Sequence, residues 1–256
     1  MIIERLARLG FASVGTVYLI IGFLAAAAGL GQGGQTTGHA GAISYILEKP
    51  FGKPLLMVMI LGLIGYALWL FASAFSDADR RGDRPKGLAI RAGAFFRGLV
   101  YAVFTIEIIR LLRGGAESAG GDQAAQDWTA RVMAKPFGSW LIGAAGLGVI
   151  GYGAYQLYRA WESKLSKRLH LGEMKPQTER KVVLISRIGI AARGIVFVVV
   201  GGSLAIAAMR HNPNAAHTTS GALDVFPEPV LTAVGIGLMA YGVYAFLNAR
   251  YRAIKA

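Results

Sequence analysis

One two-helix unit, written three times, constrains this chain more than any single residue does. The first copy carries Arg8-x-Gly10-x4-Gly15-x2-Tyr18, the second Arg91-x-Gly93-x4-Gly98-x2-Tyr101, and the third Arg187-x-Gly189-x4-Gly194-x2-Phe197. After a polar loop, each is followed by a second apolar segment marked Gly65-Tyr66-x2-Trp69, Gly151-Tyr152-x2-Tyr155 or Ala240-Tyr241-x2-Tyr244. The first two of these segments also open with KPFG, at Lys49–Gly52 and Lys135–Gly138. Marks in a fixed order at a repeat of about 85–95 residues are the sign of internal duplication.

What the repeated unit forms follows from its hydropathy. The chain is 54% hydrophobic, and its charges are bunched between long apolar runs. That places it with integral membrane proteins. Six segments are long enough to span a hydrocarbon core, which takes roughly 20 helical residues. They are Leu9–Leu30, Leu55–Phe75, Ala92–Leu112, Ser139–Tyr158, Leu184–Met209 and Val230–Ala249. Their apolar runs are unbroken and lack the alternation of barrel strands, so helices are expected. The first segment has basic residues and an Ala25–Ala28 tract, as a signal peptide would. It is too long for a signal core and aligns with the third and fifth segments, so it reads as a retained helix.

The formal net charge is +13. When loops are assigned alternately to the two sides, 20 of the 27 basic residues fall on one side and 7 on the other. The positive-inside rule then puts both termini in the cytoplasm. Basic loops beside anionic headgroups account for the high charge, and no nucleic-acid partner is expected. The absence of cysteine excludes disulfides, thiolate metal sites and cysteine catalysis.

The expected fold is an all-α integral membrane protein, a single transmembrane domain over 1–256. Its repeats cover 5–79, 88–163 and 184–252. Two spans return the chain to its starting side, so the repeats run parallel about a pseudo-threefold axis along the membrane normal, unlike the inverted repeats of many transporters. Amphipathic stretches Ile43-x2-Ile46-Leu47 and Trp128-x3-Val132-Met133 predict short helices at the outer interface, ended by Pro50 and Pro136. The third copy of this stretch is about one turn shorter. Segment 161–183 predicts a basic cytoplasmic linker, helical up to about Leu171 and stopped by Gly172 and Pro176. Small residues one heptad apart (Gly15 and Gly22, Gly98 and Thr105, Gly194 and Gly201) predict close helix packing.

The tandem Arg-x-Gly arms, the PFG turn and the Gly-Tyr-x2-aromatic mark resemble an uncharacterised bacterial family of six-helix membrane proteins. That family is known only as a domain of unknown function with the two-helix repeat present three times. The resemblance spans essentially the whole chain and implies fold and inner-membrane location. It carries over no catalytic or binding residue. The third repeat departs from the pattern, lacking KPFG and having Ala240 for the glycine.

Glu107 is the only acidic residue inside a span, and Arg110 follows at i+3. An intramembrane carboxylate is a functional candidate by default, so the two form either an ion or proton site or a plain ion pair. Arg97 and Arg193 lie six residues beyond Arg91 and Arg187, about 9 Å deeper. They either snorkel or build a basic pocket for a lipid phosphate or anionic solute. Tyr66, Trp69, Tyr152, Tyr155, Tyr241 and Tyr244 are expected to point inward as a central aromatic ring; ordinary helix packing is the alternative. No histidine or lysine lies within a span, which removes haem ligation between helices and a retinal Schiff base. His211-x5-His217 offers at most a weak metal pair. No cofactor, no metal and no enzymatic activity are expected. The sequence suggests binding or translocation of a small solute, ion or lipid at a central axis. The alternative is a non-transporting scaffold or subunit with a protein partner or a second copy of itself.

Overall fold

Long apolar runs that cannot hydrogen-bond to bulk water must satisfy their own backbone groups, and helices do so within one segment. The computed structural model describes residues 2–32, 36–75, 85–113, 121–162 and 176–251, and among them every long element is a helix. The helices are α1 (Ile2–Gly29), α2 (His39–Leu47), α3 (Gly52–Phe75), α4 (Pro85–Leu112), α5 (Asp122–Met133) and α6 (Gly138–Trp161). They continue with α7 (Pro176–Arg210), α8 (Thr219–Asp224) and α9 (Glu228–Tyr251), with a single 3-10 turn at Pro213–Ala215. Five of them, α1, α3, α4, α7 and α9, are long and apolar enough to cross a membrane. Helix α6 matches α3 in length, 24 residues, but its many glycines and tyrosines keep its hydropathy lower.

One sequence expectation shifts at a helix end. Pro176 begins α7, where the sequence reading had it stopping a helix. Proline suits the first turn because its missing N–H would have no intrahelical partner there. Residues 163–175 of the expected linker lie outside the described residues, as do residues 76–84 between α3 and α4. The short helices α2, α5 and α8 fall where the amphipathic stretches predict them, with α8 six residues long against nine for α2. KPFG is the turn that joins such a helix to the next span. A Cβ on Gly52 would meet the Ile46 carbonyl oxygen at 1.9 Å, and one on Gly138 would meet that of Val132 at 1.9 Å. Only glycine lets the chain fold back this tightly.

Each half of the Arg-x-Gly motif addresses a different neighbour. The arginine caps the carbonyl end of the second helix of another repeat. Arg8 donates to the Ala249 and Arg250 carbonyls of α9, Arg91 to those of Ala74 and Phe75 of α3, and Arg187 to that of Trp161 of α6. A cation on the last carbonyls of a helix satisfies orphan acceptors and the helix dipole together. The glycine instead receives the second helix of its own repeat. A Cβ on Gly10 would meet Cβ of Tyr66 at 2.4 Å, and one on Gly189 the backbone nitrogen of Tyr241 at 2.3 Å.

Repeat two breaks that rule. The helices pack in the order α4–α3–α1–α9–α7–α6, with α1–α9 and α6–α7 the most extensive pairs, and α4 barely touches α6. A Cβ on Gly93 or Gly148 would meet nothing within 4 Å, although both stand where repeats one and three have their tightest contact. Three equivalent valines show the consequence: Val17 is 1% exposed and Val196 3%, but Val100 is 64%. The second repeat is therefore divided, α4 lying with α3 and α6 with α7.

The heptad glycines act between repeats. A Cβ on Gly22 would meet the Gly235 carbonyl oxygen at 2.5 Å, and one on Gly201 that of Gly146 at 2.6 Å. Such approach gains dispersion energy that lipid tails cannot supply. The third such pair, α3–α4, has Ile60 and Ala67 where the others have glycine. Gly98 there meets only the Phe71 ring, at 3.0 Å.

Candidate functional site

Side chains of five long helices, α1, α4, α6, α7 and α9, gather about one guanidinium. Arg193 stands four residues after Gly189 on α7, so it shares the face that α9 covers. Its Nε donates to the Tyr18 hydroxyl at 2.9 Å, and its Nη1 donates to the Tyr241 hydroxyl. Its charge lies 4.6, 4.8 and 5.2 Å from the ring centroids of Tyr241, Phe197 and Tyr18. Tyr101 and Tyr152 also stand within its field. Among the described residues no carboxylate pairs with it.

That last point sets the chemistry. Removing a cation from water costs several kcal/mol, and a carboxylate usually offsets it. Here only neutral hydroxyls and aromatic faces do so, each face contributing about 0.5–2 kcal/mol. Two further arginines raise the local charge. Arg97 of α4 and Arg159 of α6 both act, together with Arg193, on the hydroxyl of Tyr152. Arg159 reaches the Tyr244 hydroxyl at 3.4 Å, while its buried Nε has no partner among the described residues. Gln156, one turn from Tyr152 on the same face of α6, is 1% exposed, and its Nε2 also has no partner among the described residues. The cluster thus offers positive charge and spare N–H donors, and among the described residues no acidic group pairs with it. An anion fits both features.

Of the six aromatics expected at the centre, Tyr241 and Tyr244 flank Arg193 and Arg159. Tyr66 packs edge-on against Tyr101 at 5.0 Å and stacks with buried Trp69 at 5.8 Å. Tyr152 meets Phe197 at 5.4 Å. Tyr155 is turned outward and 48% exposed, because α4 does not cover its side of α6. Its only aromatic contact is with Arg159, whose charge lies 5.9 Å from its ring. Arg97 turns back to donate to the Gly93 carbonyl at 3.0 Å and makes no bond to Tyr152. Glu107 and Arg110 sit on α4 with no ion pair between them, Glu107 half-buried and Arg110 exposed.

Sequence reasoning missed His39, Arg159 and Gln156. His39 begins α2, yet its ring enters the bundle, edge-on to Tyr18 and to Phe104 at 5.3 Å each. Burial, with the charge of Arg193 added, pulls its pKa down to about 4, so it is neutral at physiological pH. No local signal marks it, since loop and chamber come together only in three dimensions. Arg159 and Gln156 had a signal: they fall on the face of Tyr152 at i+7 and i+4.

At the opposite end of the bundle from the termini, Asp122 ties repeat two to repeat three. Its carboxylate accepts from the Thr218 N–H at 2.7 Å and from the Thr218 hydroxyl, and contacts His217 Nδ1 at 2.9 Å. Burial alone would raise its pKa. Hydrogen bonds from Thr218, His217 and Gly221 outweigh that and hold it below the ordinary carboxylate value. This is a structural clamp, and it places α5 beside the third repeat.

Comparison with known proteins places the chain in a family. The model of a domain of unknown function, DUF1206, matches it three times, over residues 9–77, 92–162 and 188–252. An uncharacterised protein, YxxB of Bacillus subtilis (strain 168), is 31% identical over 255 residues, covering 98% of this chain and 91% of the relative. No solved structure matches. The chain belongs to the DUF1206 family.

Proposed function

We propose that this DUF1206 protein binds an anionic ligand inside a bacterial inner membrane, in the chamber centred on Arg193. In this reading all six long helices span the bilayer and both termini are cytoplasmic. The three repeats stand about a pseudo-threefold axis, with the second opened. The observation that carries the proposal is a partly buried guanidinium with aromatic and hydroxyl neighbours and, among the described residues, no carboxylate partner. A structural cation would have an acidic partner; one reserved for a ligand is better left without. Arg97 and Arg159 add attraction, and the spare donor of Gln156 adds a hydrogen bond. The role in this reading is binding or passage, since among the described residues around Arg193 no base is hydrogen-bonded to a nucleophile.

The test uses purified protein in neutral detergent and sn-glycerol 3-phosphate at millimolar concentration as the probe. The wild type should gain thermal stability with probe concentration, and Arg193→Gln should lose that gain by at least tenfold in apparent affinity. A wild type indifferent to the probe, or a shift that Arg193→Gln leaves intact, would sink the chamber and favour the scaffold alternative. Topology is checked by single cysteines at Lys135 and Tyr251, both exposed, in a chain that has none of its own. An impermeant thiol reagent on intact cells should mark the first and spare the second.

A further inference from the structure

Repeat three shows what repeat two would look like if it closed. In repeat three Arg193 donates to Tyr241, Gly189 touches the Tyr241 backbone, and Val196 is 3% exposed. The equivalent residues of repeat two are Arg97, Tyr152, Gly93 and Val100, of the same types at the same spacing. Yet there Arg97 bonds only its own helix, Gly93 faces open space, and Val100 is 64% exposed. Repeat one also has the closed form, with Gly10 on Tyr66 and Val17 covered. A closing surface is thus present in sequence and parted in structure.

The seam between α4 and α6 has a polarity of its own. On α4, Gly93, Arg97 and Val100 follow at helical spacing on one face. Arg97 stands at chamber level. Val100, Val103 and Ile106 beyond it are 64%, 51% and 50% exposed, and over about 14 Å they wind from the seam onto the outer face of α4, toward the α2–α5–α8 end. On α6 the facing wall is Gly148, Gly151 and Tyr152, with the orphaned Gln156 donor one turn further in. The seam therefore offers cationic groups and spare donors, and a bare apolar track leads out of it around α4. A free inorganic anion would use only the first, whereas a lipid with an anionic headgroup and an acyl chain would use both.

We propose that the α4–α6 seam is a lateral portal through which an anionic glycerophospholipid reaches the Arg193 chamber, headgroup toward Arg97 and Arg193 and acyl chain along Val100–Ile106. Closure brings Gly93 onto the Tyr152 backbone and Arg97 onto the Tyr152 hydroxyl, as in repeat three. The proposal rests on the chamber reading and names its ligand class and route.

The test uses nanodiscs of phosphatidylcholine with about one tenth phosphatidylglycerol, and native mass spectrometry of the lipid retained. The wild type should keep phosphatidylglycerol at least tenfold above its share. Gly148→Leu puts a side chain into the seam where a Cβ meets nothing within 4 Å, so the fold should persist. It should cut lipid retention at least tenfold while the glycerol phosphate stabilisation survives. Unchanged retention in Gly148→Leu, or no preference for phosphatidylglycerol, would overturn the portal and leave the chamber standing. Loss of the glycerol phosphate effect in wild type would instead overturn the chamber. A Gly93→Cys/Gly148→Cys pair tests closure: oxidation with diamide should cross-link it and expel lipid, and dithiothreitol should restore binding. A pair that does not cross-link, or cross-links and keeps its lipid, would overturn closure.

Discussion

Repeats one and three hold their two long helices together through glycine against a tyrosine, and repeat two holds the same residues apart. Sequence at the contact does not explain the difference, since Gly10, Gly93 and Gly189 are the same residue at the same place. Neighbours explain it. Helices α1 and α9 are joined by two heptad glycine contacts, and so are α6 and α7. Helix α6 is thereby committed to repeat three, and Asp122 commits the loop before it in the same direction. Helix α4 is committed to α3 by the Arg91 cap and to α2 through Phe104 and His39. Two strong allegiances pull the second repeat apart. A motif states what can pack, but competition among its neighbours decides what does.

The comparison is broken most directly by enlarging the glycines. Gly189→Leu, driven into the Tyr241 backbone, should cost upward of about 3 kcal/mol and remove the folded monomer from size-exclusion profiles. Gly93→Leu at the parted seam should stay within about 0.5 kcal/mol of wild type. Equal damage at the two sites would mean that repeat two is closed.

Acid should next separate the attachment of α4 from the rest. His39 has a folded pKa of about 4 against an ordinary 6.5, so the unfolded chain takes a proton first. Its contribution is complete above pH 6.5 and is lost as pH falls toward 4, by about 3 kcal/mol in all. His39→Gln should flatten that window in a thermal-stability profile; an unchanged profile would place the ring outside the bundle.

Valine truncation sharpens the same contrast at smaller scale. Val17→Ala should cost about 1–2 kcal/mol by leaving a cavity, and Val100→Ala less than about 0.5 kcal/mol. The smallest effect belongs to Asp122. Its depressed pKa stabilises the fold above the ordinary 3.8 and loses that contribution as pH falls below it. Asp122→Asn should remove only this lowest limb of the acid profile.

Much of the architecture was legible because it depends on local pattern. Hydropathy gave the long helices to within a turn at most ends, and the amphipathic stretches gave α2 and α5. Residues that act across the chain were harder. Arg193 stood out as an arginine too deep for its helix, but its lack of a carboxylate could be seen only from its surroundings. Tyr18 and Tyr101 were read as repeat marks, and they prove to stand around the guanidinium. Tyr155 has the spacing of an inward residue and points outward, since inward is defined by a neighbour that is not there.

By itself the sequence determined the triplication, the helical state and the faces each helix offers, because hydrogen-bonding and periodicity are properties of a segment. The tertiary structure decided which offered faces met. The Arg-x-Gly motif reads identically in all three repeats, yet only the assembled bundle shows its arginine serving one neighbour and its glycine another. Likewise, only the bundle shows that Arg193 has no carboxylate partner among the described residues and that α4 and α6 stand apart. Those outcomes depend on competition among six helices for a limited set of close contacts, which no single segment encodes.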